Sequence, residues 1–273
     1  MVVSTPIRKS SRHKKRRALE KRLFHARAEV ALVSLGPTVD ETSILLSDLP
    51  VRVKALALRR WETLRNMPRE GEYYKGVQWL RGVLALPFAR VARGVADPLA
   101  AAIPAMRAAL DRVVYGMENV KLELVQWMVQ SLTAPRASGT VLVLEGPPGV
   151  GKTSLVRDGV AAALGRPCAC CSLGGAQDAS LLVGHGYTYE GSRWGKVAAM
   201  LMETRCSNPI LYFDEVDKIS ETPKGNEIAN VLVHAWDPAQ NAAFQDHYFE
   251  GIPIDLRGAL VIGSVNDARR LNP

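Results

Sequence analysis

The sequence predicts an α/β protein in which a parallel sheet is flanked by helices, preceded by a helical region and a basic N-terminal arm. Three observations lead to this fold class. Ten of the first 30 residues are Lys or Arg, apolar side chains recur at helical spacing in residues 51–135, and short apolar runs alternate with helical stretches from residue 140. Strands that alternate with helices favour parallel pairing through right-handed crossovers, which places helices on both faces of the sheet.

The net charge of the chain is concentrated at its N-terminus. Residues 1–30 hold ten basic and two acidic residues and so carry the whole net charge of +8, whereas residues 31–273 hold 25 of each. Basic segments of this kind are usually solvated, and they often contact nucleic acid or an acidic partner. An organelle-targeting segment and a nuclear-localisation cluster at residues 14–17 are the other interpretations. We predict a flexible basic arm over residues 1–50, through which nucleic-acid binding is possible.

Length and composition restrict the class of protein. The 273 residues suit one large or two modest domains, and 47 % apolar and 23 % charged residues are ordinary for a globular chain. No apolar run approaches the roughly 18 residues that cross a bilayer, which excludes a membrane-spanning protein and predicts no membrane partner. Four cysteines without a secretory signal indicate a reducing compartment. We expect a cytoplasmic protein, with the mitochondrial matrix or the nucleus as alternatives that depend on the arm.

The helical region follows the arm. Helical spacing covers residues 51–88, and Pro87 and Pro98 then mark a break. A second amphipathic stretch ends at Pro135, and its predicted buried face consists of Val120, Leu124, Trp127, Met128 and Leu132. These patterns predict a helical linker over residues 51–105 and a core domain over residues 106–273.

The core domain alternates strands and helices. Strands are predicted at residues 141–144, 168–173, 210–213 and 259–264. Helices are predicted at residues 153–164, 193–205 and 227–236. Cys168, Cys170 and Cys171 fall on the second strand without a Cys or His pair at metal-binding spacing, so we interpret them as apolar core residues.

A phosphate-binding motif lies between the first predicted strand and the next helix. Its cofactor-binding residues are Gly146, Pro147, Pro148, Gly149, Val150, Gly151, Lys152, Thr153 and Ser154. The glycines let backbone N–H groups converge on phosphates, and the helix N-terminus adds a favourable dipole. Lys152 is expected to contact the β- and γ-phosphates, and the Thr153 hydroxyl to bind Mg²⁺.

Polar residues at the ends of two later strands extend this predicted site. Asp214 and Glu215 follow the strand at 210–213, at the edge where ligands of open α/β sheets bind. Asp214 is expected to support the Mg²⁺ shell, and Glu215 to orient and deprotonate the attacking water. The pair favours an ATP hydrolase over a GTPase switch or a small-molecule kinase. Asn266 follows the last predicted strand, where it is either a turn former or a residue that reaches the γ-phosphate or the water.

With these motifs in place, residues 70–273 resemble the ATPase module of the Lon family of AAA+ proteases. Besides the nucleotide motifs, the similar stretches are residues 74–88, 110–121, 172–178, 184–196, 214–218, 236–241 and 244–248. The resemblance implies the AAA+ P-loop fold, ATP and Mg²⁺ as cofactors, and catalytic roles for Lys152, Glu215 and Asn266. It also implies a homo-hexameric ring in the full-length form that pulls unfolded polypeptide through a central pore for degradation.

The resemblance assigns a pore loop and a truncated C-terminus. Tyr189 corresponds to the residue that grips the polypeptide, but Glu190 replaces an aliphatic residue and Trp194 replaces a proline. Relatives continue into a fifth strand, a small helical lid and a Ser-Lys protease domain, so we expect this chain to be a fragment to which no peptidase residue can be assigned. In the family's strand order 5-1-4-3-2, the strand at 141–144 then lacks one neighbour.

Two other functions remain open from the sequence. One is a module that binds ATP without hydrolysing it and changes partners. The other is an ATPase that remodels nucleic acid through the basic arm. Release of phosphate distinguishes the first from a motor, and deletion of the arm tests the second.

Overall fold

The computed structural model describes residues 39–94, 99–133, 141–188, 191–220 and 222–270. Most of the predicted basic arm, the pore-loop residues Tyr189 and Glu190, and the C-terminal Pro273 lie outside these ranges. The described chain forms two compact units, one of residues 39–47 and 58–85 and the other of residues 48–57 and 86–270. The domain boundaries inferred from sequence stay predictions.

The first unit is helical, as predicted for residues 51–88, but its first helix, Glu41–Leu46, lies within residues 1–50, which were predicted to form a flexible arm. Its helices are α1 (Glu41–Leu46), the C-terminal half of α2 (Val51–Arg65) and α3 (Gly71–Ala85). Asp40 caps α1 by accepting a hydrogen bond from the Ser43 N–H at 2.6 Å. Leu64 fills the space beside Gly76, where a Cβ atom would lie 2.5 Å from a leucine methyl carbon. A side chain at this position would therefore require Leu64 to move.

In the described residues, the second unit contains the N-terminal part of α2, six further helices and six strands. Its helices after α2 are α4 (Leu99–Asp111), α5 (Glu118–Thr133), α6 (residues 152–164), α7 (Ser180–Val183), α8 (Lys196–Thr204) and α9 (Pro223–Trp236). Its strands are β1 (Leu142–Glu145), β2 (Cys168–Ser172), β3 (Ile210–Asp214), β4 (Phe244–Gln245), β5 (Pro253–Ile254) and β6 (Leu260–Val265). Short 3₁₀ turns follow β3 and flank β4.

Four of the strands form one parallel sheet in the order β1-β6-β3-β2. Their bounds confirm the four predicted strands to within one residue at each end, because each contains a short apolar run; β3 and β6 are almost wholly buried, whereas β1 and β2 are buried only in part. Among the described residues β1 pairs only with β6, which agrees with the strand order implied by the resemblance. The sheet and its flanking helices confirm the predicted α/β fold class.

The core of the second unit lies between the sheet and helices α4, α5 and α6. Leu110, Met128 and Val156 from these helices are fully buried in one cluster with Tyr212 and Ile262 of the sheet. α5 buries most of its predicted face, but Val120 in its first turn is 37 % exposed. The described helices include none that is long and apolar enough to cross a membrane.

Several local features differ from the sequence prediction; among them, α8 begins at Lys196 instead of residue 193, and the one-turn helix α7 was not predicted. Helix α6 is widened into a π-helical turn at Leu155–Val160 instead of being regular throughout. Helix α9 begins at Pro223, four residues before the predicted start, because Thr222 caps it and proline favours the first turn. The antiparallel hairpin of β4 and β5 was not predicted, since strands of two residues are too short to show a periodicity.

Candidate functional site

The glycine-rich motif forms the loop between β1 and α6. Gly149 and Gly151 have φ values of 83° and 96°, in the left-handed region that favours glycine. Gly151 is the N-cap of the helix and supplies no side chain, and its carbonyl accepts the Leu155 N–H at 2.9 Å. The first N–H groups of the helix are thus presented at the loop, where the helix dipole favours an anion.

Lys152 lies across this loop. Its Nζ donates to the carbonyl oxygen of Gly146, to the carbonyl oxygen of Pro147 at 3.1 Å, and to Oδ1 of Asn266 at 3.0 Å. Asn266 follows directly after β6, the strand next to β1. The predicted lysine and the predicted asparagine, 114 positions apart in sequence, are therefore in direct contact.

Asp214 is the centre of a hydrogen-bonded cluster at the end of β3. Its carboxylate accepts from Thr153 Oγ1 at 3.0 Å, Tyr212 OH at 3.2 Å, the Glu215 N–H at 3.0 Å, and Ser264 Oγ. Burial alone would raise the pKa of Asp214, but the hydrogen bonds from Ser264, Thr153, Tyr212 and Glu215 together lower it below its ordinary value. The group is therefore an ionised carboxylate held in a fixed orientation beside a hydroxyl.

Glu215 takes an unusual backbone conformation directly after β3. Its φ of 59° and ψ of 44° are left-handed, which is uncommon for a residue with a side chain. One carboxylate oxygen, Oε2, accepts from Ser172 Oγ at 3.4 Å, and the other, Oε1, accepts from Lys218 Nζ. The bond to Glu215 raises the pKa of Lys218. The carboxylate thus bridges the end of β2 and the turn after β3.

A cavity of about 620 Å³ is lined by Ser172 and Gly174, two residues that lie against the Glu215 carboxylate. The cationic residues Arg193 and Lys196 also line it. The cavity extends to His185, four positions before the predicted pore-loop tyrosine. The cavity therefore separates the end of β2 from the segment that precedes the predicted pore loop.

The predicted residues of the nucleotide site converge at one edge of the sheet. Residues 146–154 follow β1, Asp214 and Glu215 follow or end β3, and Asn266 follows β6. The contacts join Lys152 to Asn266 and Thr153 to Asp214. The two predicted pore-loop residues are outside the described part of the chain.

Several residues of the cluster were missed by the sequence analysis. Tyr212 and Ser264 donate to Asp214, Ser172 donates to Glu215, and Gly174 leaves room for the Glu215 side chain. Strand register supplies the signal that could have found two of them: Ser172 lies opposite Asp214, and Ser264 follows the pair Phe213–Gly263. A serine at the level of a strand-end carboxylate in a parallel sheet is a candidate hydrogen-bond donor to it.

These groups fit a nucleoside triphosphate bound with Mg²⁺. A hydroxyl and an ionised carboxylate 3.0 Å apart are hard oxygen ligands of the kind that Mg²⁺ prefers. Gly149 and Gly151 carry no side chain, so that an anion could approach the backbone N–H groups at the helix end. Lys152 places its charge within the same loop. The donor set therefore matches the predicted cofactors.

Comparisons with known proteins agree with this geometry. The family model described as "ATPase family associated with various cellular activities (AAA)" matches residues 142–273. A Lon protease homolog of Acanthamoeba polyphaga mimivirus is 40 % identical over 60 % of this chain and 16 % of its own length. A mitochondrial Lon protease homolog of Yarrowia lipolytica is 33 % identical over 81 % of this chain and 18 % of its own length.

A bacterial relative matches almost the whole sequence. The Lon protease of Rickettsia conorii is 29 % identical over 97 % of this chain, which corresponds to 34 % of the relative. The chain thus spans at most about a third of the length of these three relatives. The matched residues include the loop, the strand ends and the segments that carried the sequence resemblance. Residues 142–273 therefore contain an AAA ATPase domain, and the chain is similar to part of the Lon proteases.

Proposed function

We propose that the second unit binds ATP with Mg²⁺ and hydrolyses the bond between the β- and γ-phosphates. The observation that carries this proposal is the contact of two loop residues with residues at two other strand ends, Lys152 with Asn266 and Thr153 with Asp214. The loop N–H groups and Lys152 bind the phosphates, and Thr153 and Asp214 hold Mg²⁺, which neutralises charge on the phosphate oxygens.

Glu215 is the general base of the proposed reaction. Of its two oxygens, Oε1 pairs with Lys218, while Oε2 accepts a long hydrogen bond of 3.4 Å from Ser172, so we assign proton transfer to Oε2. Water loses a proton to this oxygen as its own oxygen attacks the γ-phosphorus. The bond from phosphorus to the β–γ bridging oxygen breaks, and ADP leaves with the electron pair. Asn266 and Lys152 orient the reacting groups and stabilise the developing negative charge.

Two substitutions separate binding from hydrolysis. Lys152→Ala is expected to abolish ATP binding measured by calorimetry, because the charge at the loop is lost. Glu215→Gln is expected to bind ATP normally. Its phosphate release should be slower by a factor of at least about 100, because the general base is lost. The exposed Glu227 on α9 offers a matched control, and Glu227→Gln should leave both quantities unchanged.

The outcomes distinguish a module that hydrolyses ATP from one that only binds it. ATP binding without phosphate release in the wild-type protein, even when oligomeric, would support the non-hydrolysing module. A normal rate in Glu215→Gln would show that another group takes the proton. Normal binding in Lys152→Ala would contradict the assignment of the loop.

In a longer parent protein we propose that this module drives the movement of unfolded polypeptide for degradation. The proposal rests on the relatives, which are named Lon protease. Tyr189 and Glu190 are the proposed pore-loop residues, and a homo-hexamer is the proposed assembly. If this is correct, unfolded polypeptide should stimulate phosphate release, and Tyr189→Ala should remove the stimulation while leaving the basal rate. The proposed compartment is the cytoplasm or, if the arm is a targeting segment, the mitochondrial matrix or the nucleus.

A further inference from the structure

Two cysteines lie on one face of the edge strand β2. Cys168 and Cys170 are free thiols, both are partly exposed, and the residues that alternate with them, Ala169 and Cys171, are buried. Side chains two residues apart in a strand point to the same side of the sheet. The two thiols are therefore neighbours, and the third cysteine of this strand faces the other way.

The surroundings make the two thiols chemically unequal. The Cys168 thiol, as a hydrogen-bond partner, and the nearby Arg157 guanidinium lower the pKa of Cys170 to about 7 despite partial burial. The same contact and burial raise the pKa of Cys168. Arg157 belongs to the π-helical turn of α6, which packs against β2. A thiolate beside a protonated thiol is the arrangement of an attacking and a resolving cysteine.

β2 also connects the two thiols to the residues of the nucleotide site. Cys170 lies opposite Tyr212, whose hydroxyl donates to Asp214. Two residues further along β2, Ser172 lies opposite Asp214 and donates to Glu215. If the strand shortens between Cys168 and Cys170, Ser172 moves with it, and Ser172 is a direct hydrogen-bond partner of Glu215.

We propose that Cys168 and Cys170 form a reversible dithiol site that is oxidised by peroxides and that slows ATP hydrolysis when it closes to a disulfide. The Cys170 thiolate attacks one oxygen of a hydroperoxide, the O–O bond breaks, and the product is a sulfenic acid together with water or an alcohol. The Cys168 sulfur then attacks the Cys170 sulfur, the S–O bond breaks, and the hydroxyl leaves as water with the Cys168 proton. Two thiols lose two electrons and two protons, and the peroxide gains them.

Strand geometry explains why this disulfide would be reversible and why it would act on the site. Residues i and i+2 of an extended strand are about 6.6 Å apart at Cα and about as far apart at Cβ, whereas a disulfide needs Cβ atoms about 4 Å apart. The bond therefore shortens or twists β2, and a strained disulfide is readily reduced. Among the described residues β2 pairs only with β3, so its other edge is not held by a strand. The distortion displaces Ser172 and, through it, Glu215.

The thiol chemistry can be measured directly on the full chain. The reduced protein is treated with hydrogen peroxide, blocked with iodoacetamide, digested with trypsin and analysed by tandem mass spectrometry. Cys168, Cys170 and Cys171 lie in one tryptic peptide, and the buried Cys206 lies in another and serves as an internal control. We expect loss of two hydrogen atoms localised between Cys168 and Cys170, with Cys171 and Cys206 alkylated. A disulfide that includes Cys171, or reaction of Cys206 before Cys170, would overturn the site.

The effect on the nucleotide site rests on the proposed function and has its own readout. Oxidation is expected to lower the rate of phosphate release by roughly 10- to 100-fold, as a displacement of about 1 Å in a catalytic group does, and dithiothreitol should restore it. ATP affinity should change by less than about twofold, since the phosphate-binding loop is not on β2. An oxidised protein with the full rate would overturn the control of hydrolysis.

Variants separate the disulfide from other oxidation. Cys168→Ser should still react at Cys170 but form no disulfide, and Cys170→Ser should lose the fast reaction; thermal melting checks that each is folded. Cys206→Ser should behave as wild type. Equal inactivation of Cys168→Ser and wild type would contradict the disulfide as the cause. If the reduced wild type released no phosphate, the proposed function would fail, and the mass measurement would still decide the dithiol site.

Discussion

Asp214 shows how single residues determine the chemistry of the site. Its carboxylate is partly buried, which by itself opposes ionisation, yet four donors from three parts of the chain outweigh the burial. Two of these donors, Tyr212 and Ser264, have no proposed contact with ATP. Their role is to fix the orientation and the charge of the carboxylate. The carboxylate that we propose as an Mg²⁺ ligand is therefore ionised and oriented by the protein's own donors.

Gly174 is expected to control the position of Glu215. A Cβ atom at this glycine would lie 2.1 Å from Glu215 Oε2, far inside van der Waals contact. The substitution Gly174→Ala should therefore push the carboxylate aside and lower phosphate release by roughly 10- to 100-fold, with ATP affinity nearly unchanged. Phosphate release and calorimetric binding, measured side by side, check this expectation.

Gly94→Ala is the matched control for this substitution. At Gly94 the nearest atoms to an added Cβ are 4.0 Å away and φ is not left-handed, so the variant should behave as wild type. Equal rates for Gly174→Ala and wild type would show that Glu215 can rotate without loss, and the proposed position of its base oxygen would then be wrong.

The residues that the sequence predicted differ physically from those it missed. The loop residues lie within nine consecutive positions, and the Asp214–Glu215 pair directly follows an apolar run, so local spacing is enough to indicate them. Ser264 and Gly174 matter because of strand register and close approach to a carboxylate on another element. Such relations have no local pattern in the chain. They require the order and register of the strands.

At the level of elements, Asp246 joins the short hairpin to the start of α8. The residue follows β4 and is completely buried; its carboxylate accepts the N–H of Gly195 at 2.8 Å and of Tyr248 at 2.9 Å. Trp194 stacks on Phe249 beside it with ring centroids 6.0 Å apart. Burial raises the pKa of Asp246 to about 6, although these backbone donors oppose the shift. One carboxylate thus fixes the chain segment that follows the proposed pore loop.

The raised pKa of Asp246 predicts a pH dependence of stability. In the folded state this group binds a proton below about pH 6, whereas the unfolded state binds it only below about pH 4. Its contribution to the free energy of unfolding should therefore fall as the pH rises between these values, by at most about 1.4 kcal/mol per pH unit. Urea unfolding of wild type and Asp246→Asn from pH 4.5 to 7.5 measures this as a changing difference between the two.

Asp237 provides a control, because its pKa is lowered whereas that of Asp246 is raised. Hydrogen bonds from the Ala239 N–H and from Gln240 lower the pKa of this carboxyl at the end of α9. Its titration therefore lies below the measured range, and the difference between wild type and Asp237→Asn should stay constant from pH 4.5 to 7.5. A constant difference for Asp246→Asn as well would mean that its carboxyl titrates normally.

The helices and strands that could be predicted from the sequence are those with an apolar run or a periodic pattern long enough to recognise. Each of the four sheet strands contains an apolar run of three or more residues, so their existence was predicted, and their bounds to within one residue. The β4–β5 hairpin has only two residues in each strand, and its packing depends on the buried Asp246 and the aromatic rings nearby. The π-helical turn of α6 changes the hydrogen-bond spacing without a change in apolar character. Neither feature has a periodic pattern to reveal it.

At the level of the whole molecule, charge separates the N-terminal segment from the rest of the chain. Residues 31–273 hold equal numbers of acidic and basic residues, and the excess of eight positive charges lies in residues 1–30. The residues of the predicted nucleotide site, Lys152 and Asp214 among them, lie outside residues 1–30. We therefore expect that removal of the N-terminal segment leaves the site unchanged.

Deletion of residues 1–30 is expected to remove all affinity for nucleic acid and to leave ATP hydrolysis unchanged. Phosphate-backbone binding by a basic segment is electrostatic, so the full chain should bind duplex DNA weakly at low salt, with an affinity that falls steeply as salt rises. A variant with alanine at Lys14, Lys15, Arg16 and Arg17 should bind with a shallower salt dependence, since fewer counterions are released. Fluorescence anisotropy with labelled duplex DNA at several salt concentrations measures both effects. Unchanged and salt-insensitive affinity after the deletion would place nucleic-acid binding on the electrically neutral remainder of the chain, and the basic segment would then need another partner.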